Sequence, residues 1–95
     1  MYKIIKLITG EYVFGKVDKI YSDMSIGLED PRLMIYGESS VLLMVPYTSI
    51  FTDDKSIVFN DHAIICHMNA SDQIVTIYND TLAKPKKSKG SRNLQ

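Results

Sequence analysis

A glycine in the middle of a long strand-forming segment limits most strongly how this chain can fold. Residues 12–21 read YVFGKVDKIY, a run rich in β-forming residues that Gly15 interrupts. A glycine inside a strand usually marks a sharp bend or a close approach of another backbone segment. The pattern therefore predicts a second strand that bends strongly, as strands do at the corner of a small barrel.

Short strand-forming runs separated by tight turns occupy the first two-thirds of the chain. Residues 2–8 stop at the turn Thr9-Gly10-Glu11, and residues 24–29 alternate apolar and polar side chains. Asp30-Pro31 is expected to interrupt pairing. The entirely apolar residues 41–45 indicate a strand covered on both faces. Further strands are predicted at residues 33–36, 57–59 and 63–68, and this spacing favours an all-β barrel over alternating strands and helices.

The apolar period changes after the last predicted strand, which indicates a C-terminal helix. Asn69 or Ser71 can cap its N-terminus, and Lys84-Pro85 predicts its end because a residue before proline disfavours helical geometry. Four apolar residues recur at helical spacing: Ile74, Ile77, Tyr78 and Leu82.

A net charge of zero conceals an acidic body and a basic tail. Residues 1–83 carry six basic and eleven acidic residues, a net of −5, whereas residues 84–95 carry five basic residues and no acidic one. The tail has too few apolar residues to offset its ordering entropy, so residues 84–95 are predicted to be disordered. A lysine-rich tail can keep the protein soluble, rest on the acidic body or tether a nucleic acid.

Length and composition exclude several classes of protein. Ninety-five residues are enough for one domain. The longest apolar run is far too short to cross a bilayer. The first residues show no signal-peptide pattern, so no signal peptide is expected. A single cysteine, Cys66, excludes an internal disulfide and a metal site built from cysteines alone. A cytoplasmic protein that does not act on membranes is therefore expected.

No catalytic, metal or cofactor motif is found in the sequence. Phosphate-binding loops, nucleophile elbows and dinucleotide fingerprints are missing. Strand alternation would place His62 and Cys66 on one face and His67 on the other, which is unsuited to a metal centre. Glu29 and Asp30 should point to opposite faces and make a poor acid–base pair. We therefore expect no enzyme, no metal and no cofactor.

Glycine, apolar and acidic residues follow a fixed spacing between positions 7 and 30. These residues are Leu7, Gly10, Gly15, Val17, Met24, Ile26, Leu28, Glu29 and Asp30. At these positions, without a gap, residues 7–30 resemble the first signature segment of the Sm/LSm family, which includes the bacterial RNA chaperone Hfq. A second likeness lies at Asp61-His62-Ala63-Ile64, which is similar to the Lys-His-Ala-Ile run that begins the last strand of Hfq. A long region at residues 31–60 and a helix after the barrel depart from the family and indicate a divergent member, similar to the Sm-like group of marine phages.

The resemblance implies an all-β core, namely a small, strongly bent five-stranded Sm-like (SH3-like) barrel, over residues 1–83 with the C-terminal helix. It also implies a homo-oligomeric ring of about five to seven subunits, in the host cytoplasm if a phage encodes the chain. Residues 41–45 are expected to pair with residues 63–68 of the next subunit; the alternative is that both are core strands of a monomer. The candidate interface residues are Val41, Leu42, Leu43, Met44, Val45, Ala63, Ile64 and Ile65.

The family's RNA pocket is degenerate at the matching positions Tyr21, Asp23 and Ser25. Tyr21 can stack on a base, but Asp23 is negative, Ser25 reads bases poorly, and Asp61 replaces a basic residue, so electrostatics opposes binding there. The leading hypothesis is that the ring binds or remodels single-stranded RNA through another surface, assisted by the tail. The competing hypothesis is a scaffold ring that recruits a protein partner and has lost RNA binding. Candidate RNA-binding residues are Tyr21, Asp23, Ser25, His62, Lys84, Lys86, Lys87, Lys89 and Arg92.

Overall fold

One antiparallel sheet and one helix make up the described part of the chain. The computed structural model describes residues 1–36, 42–48 and 51–92, and the side chains of residues 83–92 lie outside the description. A 3₁₀ turn at Asp61–Ala63 separates the last two strands, and helix α1 spans Asp72–Arg92. The six strands within these residues are β1 (Tyr2–Leu7), β2 (Tyr12–Ile20), β3 (Ile26–Tyr36), β4 (Leu42–Pro46), β5 (Ser56–Phe59) and β6 (Ile64–Asn69).

The strand order is β4-β3-β2-β1-β6, and β5 pairs with β3 beside β4. The first half of β3 pairs with β5 and its second half pairs with β4, so β4 and β5 lie end to end along one edge of β3. The predicted count of five strands is therefore wrong. The sixth strand arises because Pro46 and the residues after it interrupt the partner of β3, since proline has no N–H for a ladder.

Strand β3 runs through Asp30-Pro31, where the sequence predicted an interruption. The register of β2 against β3 shifts between Phe14 and Lys16, opposite this point, and Asp30 has a φ of 51°. Aspartate tolerates this left-handed conformation better than most residues. Asp30 and Pro31 therefore form an irregularity within a continuous strand, and the two halves of β3 are free to meet different partners.

The inner face of the sheet carries a core formed by residues from distant strands. Phe59 of β5 and Ile64 of β6 contact the same cluster, although β5 and β6 lie at opposite ends of the strand order. Only Asn60 and the 3₁₀ turn at Asp61–Ala63 join β5 to β6, so the sheet curls to bring these two strands near each other. No pairing between β5 and β6 is found among the described strands, so the sheet is open. The buried members of this inner cluster are Ile5, Leu7, Val13, Ile26, Leu28 and Phe59.

Helix α1 covers part of the opposite, outer face of the sheet. Phe14, Met44 and Tyr78 form its buried cluster, with the rings of Phe14 and Tyr78 centred 4.9 Å apart. The N–H of Ile74 donates to Ser71 Oγ at 3.3 Å, which confirms Ser71 as the cap rather than the alternative position two residues earlier.

A polar contact fixes the helix to the irregularity in β3. The Tyr78 hydroxyl donates to Asp30 Oδ2 at 2.7 Å, and Arg32 donates to both carboxylate oxygens of Asp30 at 3.2 and 3.3 Å. Burial, reinforced by the Asp30 carboxylate, raises the pKa of Tyr78 above its usual range. Tyr78 is thus a neutral hydrogen-bond donor at neutral pH, and its contact orients α1 across the sheet.

Helix α1 continues to Arg92, beyond Lys84-Pro85, where the sequence predicted its end. The steric penalty at a residue before proline is a preference, and kinked helices tolerate it. The backbone of residues 84–92 is helical, and residues 93–95 lie outside the description. Helical geometry does not by itself measure order, so the predicted disorder of residues 84–95 stays a prediction. Among the described residues, no helix has the length and apolar character needed to span a membrane.

Gly15 lies where β2 and β3 approach most closely. A Cβ atom at this position would lie 2.9 Å from Leu28 Cβ and 3.3 Å from the carbonyl oxygen of Glu29. Both atoms are fixed by the β3 backbone, so a side chain at position 15 has no room. The close approach predicted from this glycine is confirmed.

We predict that Gly15→Ala lowers the free energy of unfolding by about 2 kcal/mol, because the new methyl group must displace the β3 backbone. Gly27→Ala is the matched control, since a Cβ there meets nothing closer than 3.6 Å, and its effect should stay within about 1 kcal/mol. Urea unfolding followed by circular dichroism measures both. Equal stability of the two variants would contradict the close-approach account.

Candidate functional site

The Tyr21–Ser25 turn that joins β2 and β3 carries three of the predicted RNA-binding residues. The N–H of Tyr21 donates to the carbonyl of Ser25, and the N–H of Met24 donates to the carbonyl of Tyr21, both at 2.9 Å. Met24 has a φ of 73° and an exposed side chain. A tight turn followed by a left-handed residue is a common three-residue hairpin connection, usually completed by glycine. Methionine therefore holds this conformation at some cost in stability.

Asp23 stabilises the turn through its carboxylate. The backbone N–H of Ser25 donates to Asp23 Oδ1 at 2.9 Å. This hydrogen bond is the main reason that the pKa of Asp23 lies below its ordinary value, and the nearby His62 ring adds a smaller effect in the same direction. Asp23 is consequently ionised at neutral pH, and it places a negative charge at the tip of the turn.

Ser25 connects the turn to the 3₁₀ turn before β6. Its side chain is buried, and its hydroxyl accepts a hydrogen bond from the backbone N–H of Asp61 at 3.2 Å. The Ser25 hydroxyl is therefore already engaged within the protein. This contact also brings His62, which is exposed in the 3₁₀ turn, close to Asp23.

The electrostatic character of this site is mixed. Lys19 Nζ lies 4.8 Å from the centre of the Tyr21 ring and covers one face of it. Asp61 Oδ1 lies 3.9 Å from His62 Nε2. Tyr21, Asp23, Ser25 and His62 are thus gathered at one end of the sheet, together with the second carboxylate of Asp61. The side chains of Lys84, Lys86, Lys87, Lys89 and Arg92 lie outside the description.

The predicted interface residues lie on the two opposite edges of the sheet. Leu42, Leu43 and Val45 belong to edge strand β4, and Ile65 belongs to edge strand β6. Leu43 is 51% exposed and Ile65 is 58% exposed. The predicted cover on both faces of β4 is therefore incomplete within one chain.

Other interface candidates have roles inside the subunit. Met44 is buried beneath α1, Ile64 contacts the inner cluster, and the carbonyl of Ala63 accepts a hydrogen bond from the N–H of Ile8. Val41 lies outside the described residues. Only the outward-facing part of the predicted interface is thus available to a neighbour.

The described residues contain no group of three or more histidine, cysteine or acidic side chains that could hold a metal ion. His62 lies in the 3₁₀ turn rather than on a strand, so the predicted alternation with Cys66 does not apply to it. Cys66 is exposed on edge strand β6, and His67 Nδ1 lies 3.3 Å from Lys3 Nζ. His62, Cys66 and His67 therefore have different neighbours.

Sequence reasoning missed an open cavity and an aromatic pair. The cavity, about 500 Å³, lies beside the irregularity in β3 and is lined by Glu29, Asp30, Asp53 and Asp54 together with Lys55 and neighbouring prolines and threonines. Tyr12 and Tyr36 are exposed on adjacent strands. They are 24 positions apart in the sequence, and only the register of β2 against β3 relates them.

Comparison with known proteins identifies no family: no protein-family model matches the chain, and no curated protein matches it significantly. The functional argument therefore depends on the geometry of the described residues.

We predict that Ser25→Ala lowers the free energy of unfolding by about 1 kcal/mol, because the N–H of Asp61 loses its partner. Ser22→Ala is the matched control, since Ser22 is exposed in the same turn and its replacement should change stability by less than about 0.5 kcal/mol. Thermal and urea unfolding measure both. A Ser25 variant as stable as the control would show that the connection between the two turns contributes nothing.

Proposed function

We propose that this chain forms a homo-oligomeric Sm-like ring that binds single-stranded RNA in the cytoplasm without catalysing a reaction. The observation that carries the proposal is that, among the described strands, β4 at one end of the strand order and β6 at the other each have one unpaired side. Each edge presents exposed apolar side chains, Leu43 on β4 and Ile65 and Met68 on β6. Pairing of β4 with β6 of the next subunit satisfies both edges.

The composition of β4 favours a paired edge. Before the terminal Pro46, residues 42–45 include no charged side chain and no proline, whereas strands that stay exposed at an edge usually carry charges, prolines or bulges that prevent association. Leu43 lies opposite Ile35 of β3, which is also exposed. A neighbouring subunit that covers these two side chains removes apolar surface from water, at about 25 cal/mol for each Å² buried.

Strands β4 and β6 lie at opposite ends of the strand order. A contact between β4 of one subunit and β6 of the next is therefore head to tail. A head-to-tail contact closes into a ring when its rotation allows, and about five to seven subunits are proposed here. The curl of the sheet from β5 to β6 around the inner cluster supports the proposed strongly bent Sm-like barrel. The 3₁₀ turn at Asp61–Ala63 leads from β5 to β6, so a short connection joins these two strands of the open sheet.

RNA is the favoured ligand because five cations follow one another within residues 84–95. Such a segment supplies the salt-dependent, phosphate-directed part of nucleic-acid affinity. The second candidate is a ring that recruits a protein and does not bind RNA. It is favoured by the ionised Asp23 and the engaged Ser25 hydroxyl at the family's pocket position.

We predict that Leu43→Asp converts the ring to folded monomers, because it places a charge in the apolar contact between subunits. Ile20→Asp is the matched control: Ile20 is 44% exposed, at the end of an interior strand, and its replacement should leave the oligomer intact. Light scattering gives the mass, and circular dichroism reports folding. A wild-type monomer, or two variants of equal mass, would overturn the ring proposal.

We predict that the full chain binds labelled oligouridine or oligoadenosine at about 50 mM salt, with an affinity that falls steeply as salt rises. A chain ending at Ala83 keeps the Tyr78 contact to Asp30 and should bind more weakly and with a smaller salt slope. Fluorescence polarisation measures both. Failure of the full chain to bind either RNA would remove the RNA proposal and favour the protein-recruiting ring.

A further inference from the structure

The outer face of the sheet carries two exposed tyrosine rings beside the area covered by α1. Lys6, Tyr12 and Met34 lie side by side on β1, β2 and β3 in the strand register. Tyr36 follows Met34 by two residues on β3, so it points to the same face. Diagonal neighbours of this kind on adjacent strands lie about 7–8 Å apart. Tyr12 and Tyr36, here called the tyrosine platform, are therefore diagonal neighbours on one face of the sheet.

Neither ring of the tyrosine platform is used by the core. Tyr36 is 70% exposed and Tyr12 is 41% exposed. On the same face, Tyr2 of β1 and Tyr78 of α1 instead pack against the ring of Phe14. An exposed aromatic side chain forgoes the stabilisation that its burial would give. A single exposed aromatic side chain needs no explanation, because isolated apolar residues are common on protein surfaces. Two adjacent ones on a regular sheet form a flat surface on which planar groups can stack.

One cation adjoins the tyrosine platform, since Lys6 Nζ lies 5.3 Å from the centre of the Tyr12 ring. Lys16 is on the same face but four residues further along β2, opposite Tyr2 on β1 and Glu29 on β3. The acidic neighbour in sequence, Glu11, interacts instead with Tyr47, whose pKa is raised by burial and by that carboxylate. Helix α1 lies on this face too, and its sequence continues into the five cations of residues 84–95.

We propose that Tyr12 and Tyr36 stack on two bases of a single-stranded RNA, with Lys6, on the side of Tyr12 away from Tyr36, neutralising a phosphate that flanks the stacked pair. The inference rests on the proposed RNA binding and names the surface responsible. Aromatic side chains on a β-sheet recognise unpaired bases by stacking, and neighbouring cations track the backbone. A nucleic acid fits this surface better than a protein partner does because two exposed rings share one face with the cation of Lys6.

This surface is separate from the family's pocket position. Tyr12 begins β2 and Tyr21 directly follows its last residue, so nine residues separate them, or about 30 Å along a strand. The Tyr21–Ser25 turn carries the ionised Asp23 and the neighbouring Asp61. Phosphates are repelled at that end of the strand and attracted at the other.

The test measures binding of labelled oligouridine and oligoadenosine to the full chain at about 50 and 150 mM salt. Tyr12→Leu and Tyr36→Leu should each weaken binding by about 5-fold or more, because each removes one stacked base. Tyr12→Phe and Tyr36→Phe keep the rings and should stay within about twofold of the wild type. Phe51→Leu, an exposed aromatic outside the platform, should also bind as the wild type does. Lys6→Gln should reduce the salt slope, whereas the two leucine variants should leave it unchanged.

The outcomes separate this inference from the proposed function. If the wild type binds and the two leucine variants bind equally well, the tyrosine platform is wrong and RNA binding survives. If the wild type does not bind at either salt concentration, RNA binding itself is wrong, and the platform falls with it. Circular dichroism and light scattering on each variant confirm that folding and assembly are unchanged, so a loss of affinity reports the surface alone.

Discussion

The close approach of β2 and β3 at Gly15 is the contact on which the rest of this structure depends. The absence of a side chain lets Leu28 and the Glu29 carbonyl lie against the β2 backbone, so the sheet can curl around a core shared by β5 and β6. Among the described strands, a sheet that curls without pairing β5 to β6 leaves β4 and β6 with one unpaired side each. The apolar residues on these strands are the basis of the proposal that a second copy covers them.

The irregularity at Asp30 affects both the pairing of β3 and the position of α1. It allows β3 to change partners from β5 to β4, and its carboxylate binds the hydroxyl of Tyr78, which orients α1. The helix packs on Phe14 and Met44, whereas Tyr12 and Tyr36 on the same face are exposed. The backbone distortion at Asp30 thus contributes both to the pairing of β3 and to the placement of α1 on the outer face.

Local patterns in the sequence predict the features that depend on neighbouring residues. The close approach at Gly15, most strand positions and the cap at Ser71 follow from period and residue type. Features that depend on tertiary partners were not predictable: the continuation of β3 through Asp30, the burial of Met44 beneath α1 and the extension of α1 past Pro85. The same distinction between local and tertiary features applies to the two candidate surfaces. The Tyr21–Ser25 turn is local and was found from the sequence, whereas the tyrosine platform exists only through the β2–β3 register.

Amide hydrogen exchange on the two edge strands tests the central claim most directly. If β4 and β6 pair between subunits, their outward-facing N–H groups exchange slowly in the assembled protein and become fast on dilution, while the interior strands β1 and β2 stay protected throughout. Fast exchange along both edges at every concentration would contradict the account, since it would leave each subunit with the unpaired margins that the ring is proposed to close.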